Sequence, residues 1–119
     1  MIELTEIGHR VVLAALRSAS SQIGLLIEAM DGEPDEPRDS RYARVKAGPE
    51  YWRETGNSIE GATLEFSFAA PVGMVTGWFV ANAAGQRILV DIFDEPYDFS
   101  TFGGRLKVTP TFGVNQAES

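Results

Sequence analysis

Residues Val75 to Val90 read VTGWFVANAAGQRILV, two apolar runs on either side of the polar, glycine-containing tetrapeptide Asn82-Ala83-Ala84-Gly85. Runs rich in β-branched and aromatic residues, joined by so short a turn signal, predict a β-hairpin. In the first arm Val75, Gly77, Phe79 and Ala81 fall on one face and Trp78 and Val80 on the other; in the second, Ile88, Val90 and Ile92 alternate with Leu89, Asp91 and Phe93. Both arms therefore carry apolar side chains on two faces, which a sheet with one wet face does not require. Either the hairpin is central in a two-layer sandwich, or its outer face meets another subunit. An isolated hairpin is marginal in water, so the remaining strands must be found elsewhere in the chain.

They are read from the same kind of pattern. IGLLIEAM, Ile23 to Met30, is an apolar run short enough for a buried strand, and YARVKA, Tyr42 to Ala47, is a second one. In ATLEFSFA, Leu64, Phe66 and Phe68 alternate with Thr63, Glu65 and Ser67, the period of a sheet buried on one face. RLKVTPTF, Arg105 to Phe112, turns Leu106 and Val108 inward, and Pro110 confines its end to an edge or a bulge. Between them, Asp31 to Arg41 holds two prolines and five acids and predicts an exposed loop, and the connection from Gly48 to Gly61 predicts a loop whose Tyr51 and Trp52 fold back onto the core. Ahead of all these, LTEIGHRVVLAALRSAS predicts an amphipathic helix capped by Thr5, with Ile7, Val11, Ala14 and Ala15 as its apolar stripe, widened by Val12 and Leu16, and with Glu6, Arg10 and Arg17 on the polar side.

With 119 residues there is room for one hydrophobic core. The expected architecture is mainly β, a single antiparallel β-sandwich domain of about six strands. Residues 1–21 supply the N-terminal helix, 22–112 the sandwich and 113–119 a loose tail. No apolar run approaches the roughly 20 residues of a spanning helix, and the N-terminus carries Glu3 and Glu6 where a secretory signal carries positive charge. Seventeen acidic against ten basic residues give a net charge of −7, a field that repels phosphate backbones and anionic lipid, so neither nucleic acid nor membrane is an expected partner.

The residue types of the common reaction classes are thinly represented. Without cysteine there are no disulfides, thiolate metal sites or cysteine nucleophiles. His9, the only histidine, falls on the helix and reads as a solvated or partly packed residue, and no G-x-S-x-G elbow accompanies it. Asp31, Glu33, Asp35, Glu36 and Asp39 suit a hard cation by type, but Pro34 and Pro37 interrupt the twelve-residue calcium loop, and a solvated loop is the simpler reading. A second acidic group, Asp91, Asp94, Glu95 and Asp98, sits beside Tyr97 in DEPYDF. With Trp78 it raises a sugar site or a carboxylate pair such as Asp91 and Glu95 in a small glycosidase, a spacing that sequence does not fix. Phe102-Gly103-Gly104-Arg105 lacks the phosphate-loop pattern and reads as a turn before a strand. No catalytic, cofactor-binding or metal-ligating set is therefore expected. The candidate functional residues are an interface set of large side chains: Tyr51, Trp52, Trp78, Val80, Phe93, Tyr97 and Phe99.

The order of pieces resembles a known group. Tyr42-Ala43-Arg44-Val45, Trp52, Asn57, then Phe66, Phe68, Ala69 and Ala70 before Gly73, Val75 and Thr76, the Asn82 to Gly85 turn followed by Ile88-Leu89, and finally Gly104, Leu106 and Val108, resemble small virion proteins of tailed bacteriophages. These are described as tail-fibre-like or as minor capsid and decoration proteins, with a β-sandwich domain. The resemblance spans roughly residues 20 to 112 and departs at the acidic segment Asp94 to Phe99, where such proteins have a plainer connection. It implies a non-enzymatic part of the particle, seated on the outer face of the capsid, with a tail-tip or fibre domain that recognises the host as the alternative. It also implies partners among the major capsid or other virion proteins, a homo-oligomer or symmetric assembly, and location in the virion.

Overall fold

The computed structural model describes residues 5–28, 34–55 and 58–113; of the expected loose tail, Gly113 ends a strand and 114–119 lie outside them, as do Asn57 and Asp31 and Glu33 of the acidic loop. Helix α1 (Glu6–Ala19) starts where expected, with Thr5 accepting the Gly8 N–H at 3.0 Å. The centre of its expected stripe, however, faces outward: Ile7 is 74% exposed and Val11 62%, with Ala14 and Ala15 exposed beside them, while Leu16 of the stripe turns inward together with His9 and Leu13. The reason is in the C-terminal turns. Ser20 donates to the Ala47 carbonyl and accepts the Trp52 indole N–H at 2.8 Å, and Arg17 donates to the Pro49 carbonyl at 2.9 Å, so these anchors fix the rotation and bring Leu13 onto the core.

The strands follow in chain order: β1 (Gln22–Glu28), β2 (Pro34–Asp35), β3 (Val45–Lys46), β4 (Arg53–Thr55), β5 (Ser58–Glu60), β6 (Leu64–Phe68), β7 (Gly73–Ala81), β8 (Arg87–Phe99), β9 (Gly104–Val108) and β10 (Thr111–Gly113). All pairings are antiparallel. The largest sheet runs β2-β1-β7-β8, with β3 also on the outer edge of β1; β10-β5-β4 and β6-β9 form two smaller sheets. Ile23, Leu25, Val75, Trp78 and Val80 of the large sheet share one core with Phe66, Phe68, Leu106 and Val108 of one small sheet and Ile59 and Phe112 of the other. The result is an open, mainly β sandwich with one helix, and the shared core is what holds its layers together.

Several segments depart from the sequence reading. Tyr42 to Ala47 pairs only through Val45 and Lys46, because Tyr42 is used differently. Its ring stacks on Phe66 and Phe68, while its hydroxyl accepts the Leu25 N–H at 2.9 Å, standing in for a missing neighbour strand on β1. The expected Gly48 to Gly61 loop contains the β4-β5 pair, and the expected Arg105 to Phe112 strand splits at Pro110, where the chain leaves β9 and enters the other small sheet as β10. Pro34-Asp35, expected in a loop, pairs with the end of β1, an edge position that proline tolerates.

The hairpin itself is as expected. Gly85 N–H donates to Asn82 O and Asn82 N–H to Gln86 O, both at 2.9 Å, closing a three-residue loop with Gly85 at φ 82°. That left-handed position is the one glycine fills without strain, and the Asn82 side chain accepts from the Ala84 and Gln86 amides to complete the turn.

Candidate functional site

The two arms of the hairpin meet different fates. β7 lies between β1 and β8, and from Gly77 to Ala81 every residue is buried. On its outer face Phe79 is fully buried beneath two guanidinium groups, Arg44 at 4.8 Å and Arg87 at 5.0 Å from the ring centre. Arg44 is held in place by the acidic loop: Glu36 accepts from its Nη2 at 2.8 Å and its Nε at 3.0 Å, while Nη1 reaches the Gln22 side chain and the Gly85 carbonyl. Partial burial pushes the Glu36 carboxyl upward, but the hydrogen bonds from Arg44 and Tyr42 outweigh it and hold the carboxyl below its ordinary value. Burial pushes the Tyr42 hydroxyl upward. Asp39 ties the same loop to the end of β6, accepting from the Ala69, Ala70 and Arg41 amides, and those backbone donors lower its carboxyl. The acids expected to be merely solvated thus include Glu36, which holds the roof over β7, and Asp39, which fastens the same loop to the end of β6.

β8 has no such roof. It is an edge strand of 13 residues that pairs with β7 alone among the described residues. Val90 is 47% exposed and Ile92 56%, opposite Phe79 and Gly77. From Leu89 to Ile92 the register with β7 is unbroken, helped by Gly77, where a Cβ would stand 2.3 Å from the Asp91 carbonyl. Beyond Ile92 the strand bulges: Ile92 pairs with Gly77 and Tyr97 with Val75, so Phe93, Asp94, Glu95 and Pro96 stand against Thr76 alone. The acidic segment Asp94 to Phe99 is therefore the bulged second half of a strand.

On its inner side β8 overhangs a groove of about 280 Å³ lined by Trp78, Asp91, Phe93, Tyr97, Lys107 and Thr111, with Val108 and Thr109 between the last two. Trp78 donates its indole N–H to Asp91 at 3.0 Å, and the rings of Phe93 and Tyr97 meet edge to face at 5.1 Å. The groove can hold a flat or aliphatic group against Phe93 and Tyr97, with a carboxylate on one wall and an ammonium on the other.

The structure brings Trp78, Phe93 and Tyr97 of the candidate interface set to this groove and sets the others apart. Trp52, Trp78 and Val80 are each only 2% exposed and belong to the core, a correction to their place in the interface set, since this chain's own elements already cover them; Trp52 packs inward as expected of its loop. Trp52 sits edge to face with Phe112 and Tyr51, whose hydroxyl donates to the Ala62 carbonyl and is pushed up to about 12 by burial. Phe99 packs on Phe68 at 4.9 Å. Glu95 stands exposed on the bulge and does not line the groove, so it is not brought together there with Asp91. His9, read as solvated or partly packed, is 5% exposed, and its Nδ1 has no hydrogen-bond partner among the described residues. Among the described residues no group of three or more His, Asp or Glu is placed to hold a metal, and no helix is long and apolar enough to cross a membrane.

Sequence reasoning missed Arg44 as the organiser of the outer face, and Lys107, Thr109 and Thr111 as groove residues. The YARV string carried the first signal, an arginine inside an otherwise apolar run; the others look like ordinary outward residues of an alternating strand. Compared with known protein families, with curated proteins and with solved structures, the chain gives no match in any of the three.

Proposed function

We propose that this protein is a structural component of a bacteriophage particle, a minor capsid or decoration protein bound to the outer face of the capsid shell through its β8 edge. The observation that carries the reading is β8 itself, a long edge strand with Val90 and Ile92 exposed, on a chain whose other strands bury their apolar residues. Monomeric proteins manage such edges or cover them, and a neighbour in an assembly is one cover. The resemblance of the Tyr42 to Val108 motifs to tailed-phage virion proteins supports the same reading. So does the acidic balance, since a net charge of −7 keeps free copies apart before assembly. The partner on this reading is the major capsid protein, and modest contacts repeated over the shell sum to firm attachment.

Quantitative mass spectrometry of purified particles tests it. The reading expects hundreds of copies per particle; a few copies per particle move the protein to the tail, and its absence from particles refutes a structural role.

One observation favours a second reading, a tail-tip or fibre domain that recognises the host surface. The exposed Tyr97 and neighbouring Phe93 present aromatic area beside Asp91, a combination suited to a sugar ring. Binding of the protein to host envelopes, lost in Tyr97→Ala, would favour it over the capsid.

A further inference from the structure

The halves of β8 are built differently. From Phe93 to Phe99 the strand carries the devices that keep an edge from accepting another strand: a bulge, a proline with no N–H, and three exposed acids, Asp94, Glu95 and Asp98. From Leu89 to Ile92 it has neither bulge nor proline; its one acid, Asp91, turns to the groove side where Trp78 holds it, and the stretch runs in regular register with an apolar outer face at Val90 and Ile92. A protected stretch beside an unprotected one is what an edge with one permitted partner requires, and the charges say which partner. Over Arg87 to Phe99 four carboxylates stand against Arg87, with Lys107 the one further cation on the groove wall, and Arg87 already lies over the Phe79 ring. Asp91 gives one oxygen to Trp78, and its second has no hydrogen bond among the described residues. A second copy of this chain would lay acid against acid across the seam, and two molecules of charge −7 repel.

The geometry points to Leu89–Ile92 as an acceptor for one extended segment of a basic partner protein, added as a sixth strand beyond β8, with aliphatic side chains over Val90 and Ile92 and lysine or arginine side chains reaching Asp91 and the bulge carboxylates. This rests on the reading of β8 as a docking edge and gives it a mode. Main-chain hydrogen bonds supply the attachment and alternate side chains the selectivity. A seam this short gives weak single contacts, with dissociation constants in roughly the micromolar to millimolar range, which suits attachment repeated many times.

The probe is a six-residue peptide alternating lysine and valine, added to the full chain at low salt and followed through the backbone amide NMR signals. The inference expects saturable shifts centred on Leu89 to Ile92 and slower exchange of the amides on the free edge. Replacing lysine by glutamate in the peptide should weaken binding at least tenfold, and N-methylating alternate residues so that their amides cannot pair should abolish it. Ile92→Lys, on an exposed side chain, should weaken it at least fivefold with the melting temperature unchanged. Shifts elsewhere on the molecule, equal binding of the glutamate peptide, or binding indifferent to N-methylation would each overturn the inference. So would concentration-dependent dimers of the protein alone that protect the same amides, which would name a second copy as the occupant. The particle measurement is independent: a protein present on particles that ignores the peptide keeps its structural role and loses this mode of docking, whereas one that takes the peptide but is missing from particles keeps the mode and loses the role.

Discussion

β7 and β8 are joined by five residues, 82–86, and carry similar side chains, yet β7 is buried on both faces while β8 is exposed along most of its length. Two-sided apolarity in a strand thus has two origins in one hairpin. In β7 it reflects a central position with Trp78 and Val80 facing the shared core and Phe79 roofed by Arg44 and Arg87. In β8 it marks an edge whose outer face nothing among the described residues covers. The difference lies in what the rest of the chain brings: the Glu36–Arg44 loop reaches β7 and stops there.

Mutations at facing positions should expose that asymmetry. Phe79 and Val90 are cross-strand partners. Phe79→Ala empties a fully buried site and should cost about 3–5 kcal/mol in urea unfolding. Val90→Ala, directly opposite, should change stability by no more than about 0.5 kcal/mol; equal costs would mean β8 is covered in solution. Gly77→Ala, which sets a methyl against the Asp91 carbonyl, should cost about 2 kcal/mol or more and loosen β8 while β1–β7 pairing survives, readable by amide exchange. Arg44→Met keeps much of the apolar cover over Phe79 but strands the Glu36 carboxylate, and should cost about 1–3 kcal/mol in the same assay.

The hairpin, its turn, the N-cap at Thr5 and the alternation of β6 were legible in the sequence because each depends on neighbours along the chain. What was not legible depends on distant partners. The apolar stripe of α1 could be read from its period but not its rotation, which Ser20 and Arg17 set through residues 27 or more positions away. Likewise the groove joins Asp91 and Tyr97 to Lys107 and Thr111, whose meeting depends on how the small sheets pack on the large one. Trp78 was assigned to a contact surface and Trp52 both to the core and to that surface, since a large aromatic residue carries the same sequence signal whether its cover comes from its own chain or another.

A smaller effect tests the roof by pH. Glu36 and Asp39 bind protons more weakly folded than unfolded, so the stability they contribute is complete above their ordinary values, 4.5 and 3.8, and is lost as pH falls through their lowered folded values. The melting temperature should therefore fall with acidification below about pH 4.5. That fall should be shallower in Glu36→Gln, measured by calorimetry at fixed ionic strength.

The most direct test of the edge is native-state hydrogen exchange on the free protein at a concentration where sedimentation shows a monomer. The amides of β7 should exchange only through global unfolding, whereas between Leu89 and Ile92 the outward-pointing amides should exchange many times faster than their inward neighbours. Uniform protection of every amide from Leu89 to Ile92, equal to that of β7, would contradict the account.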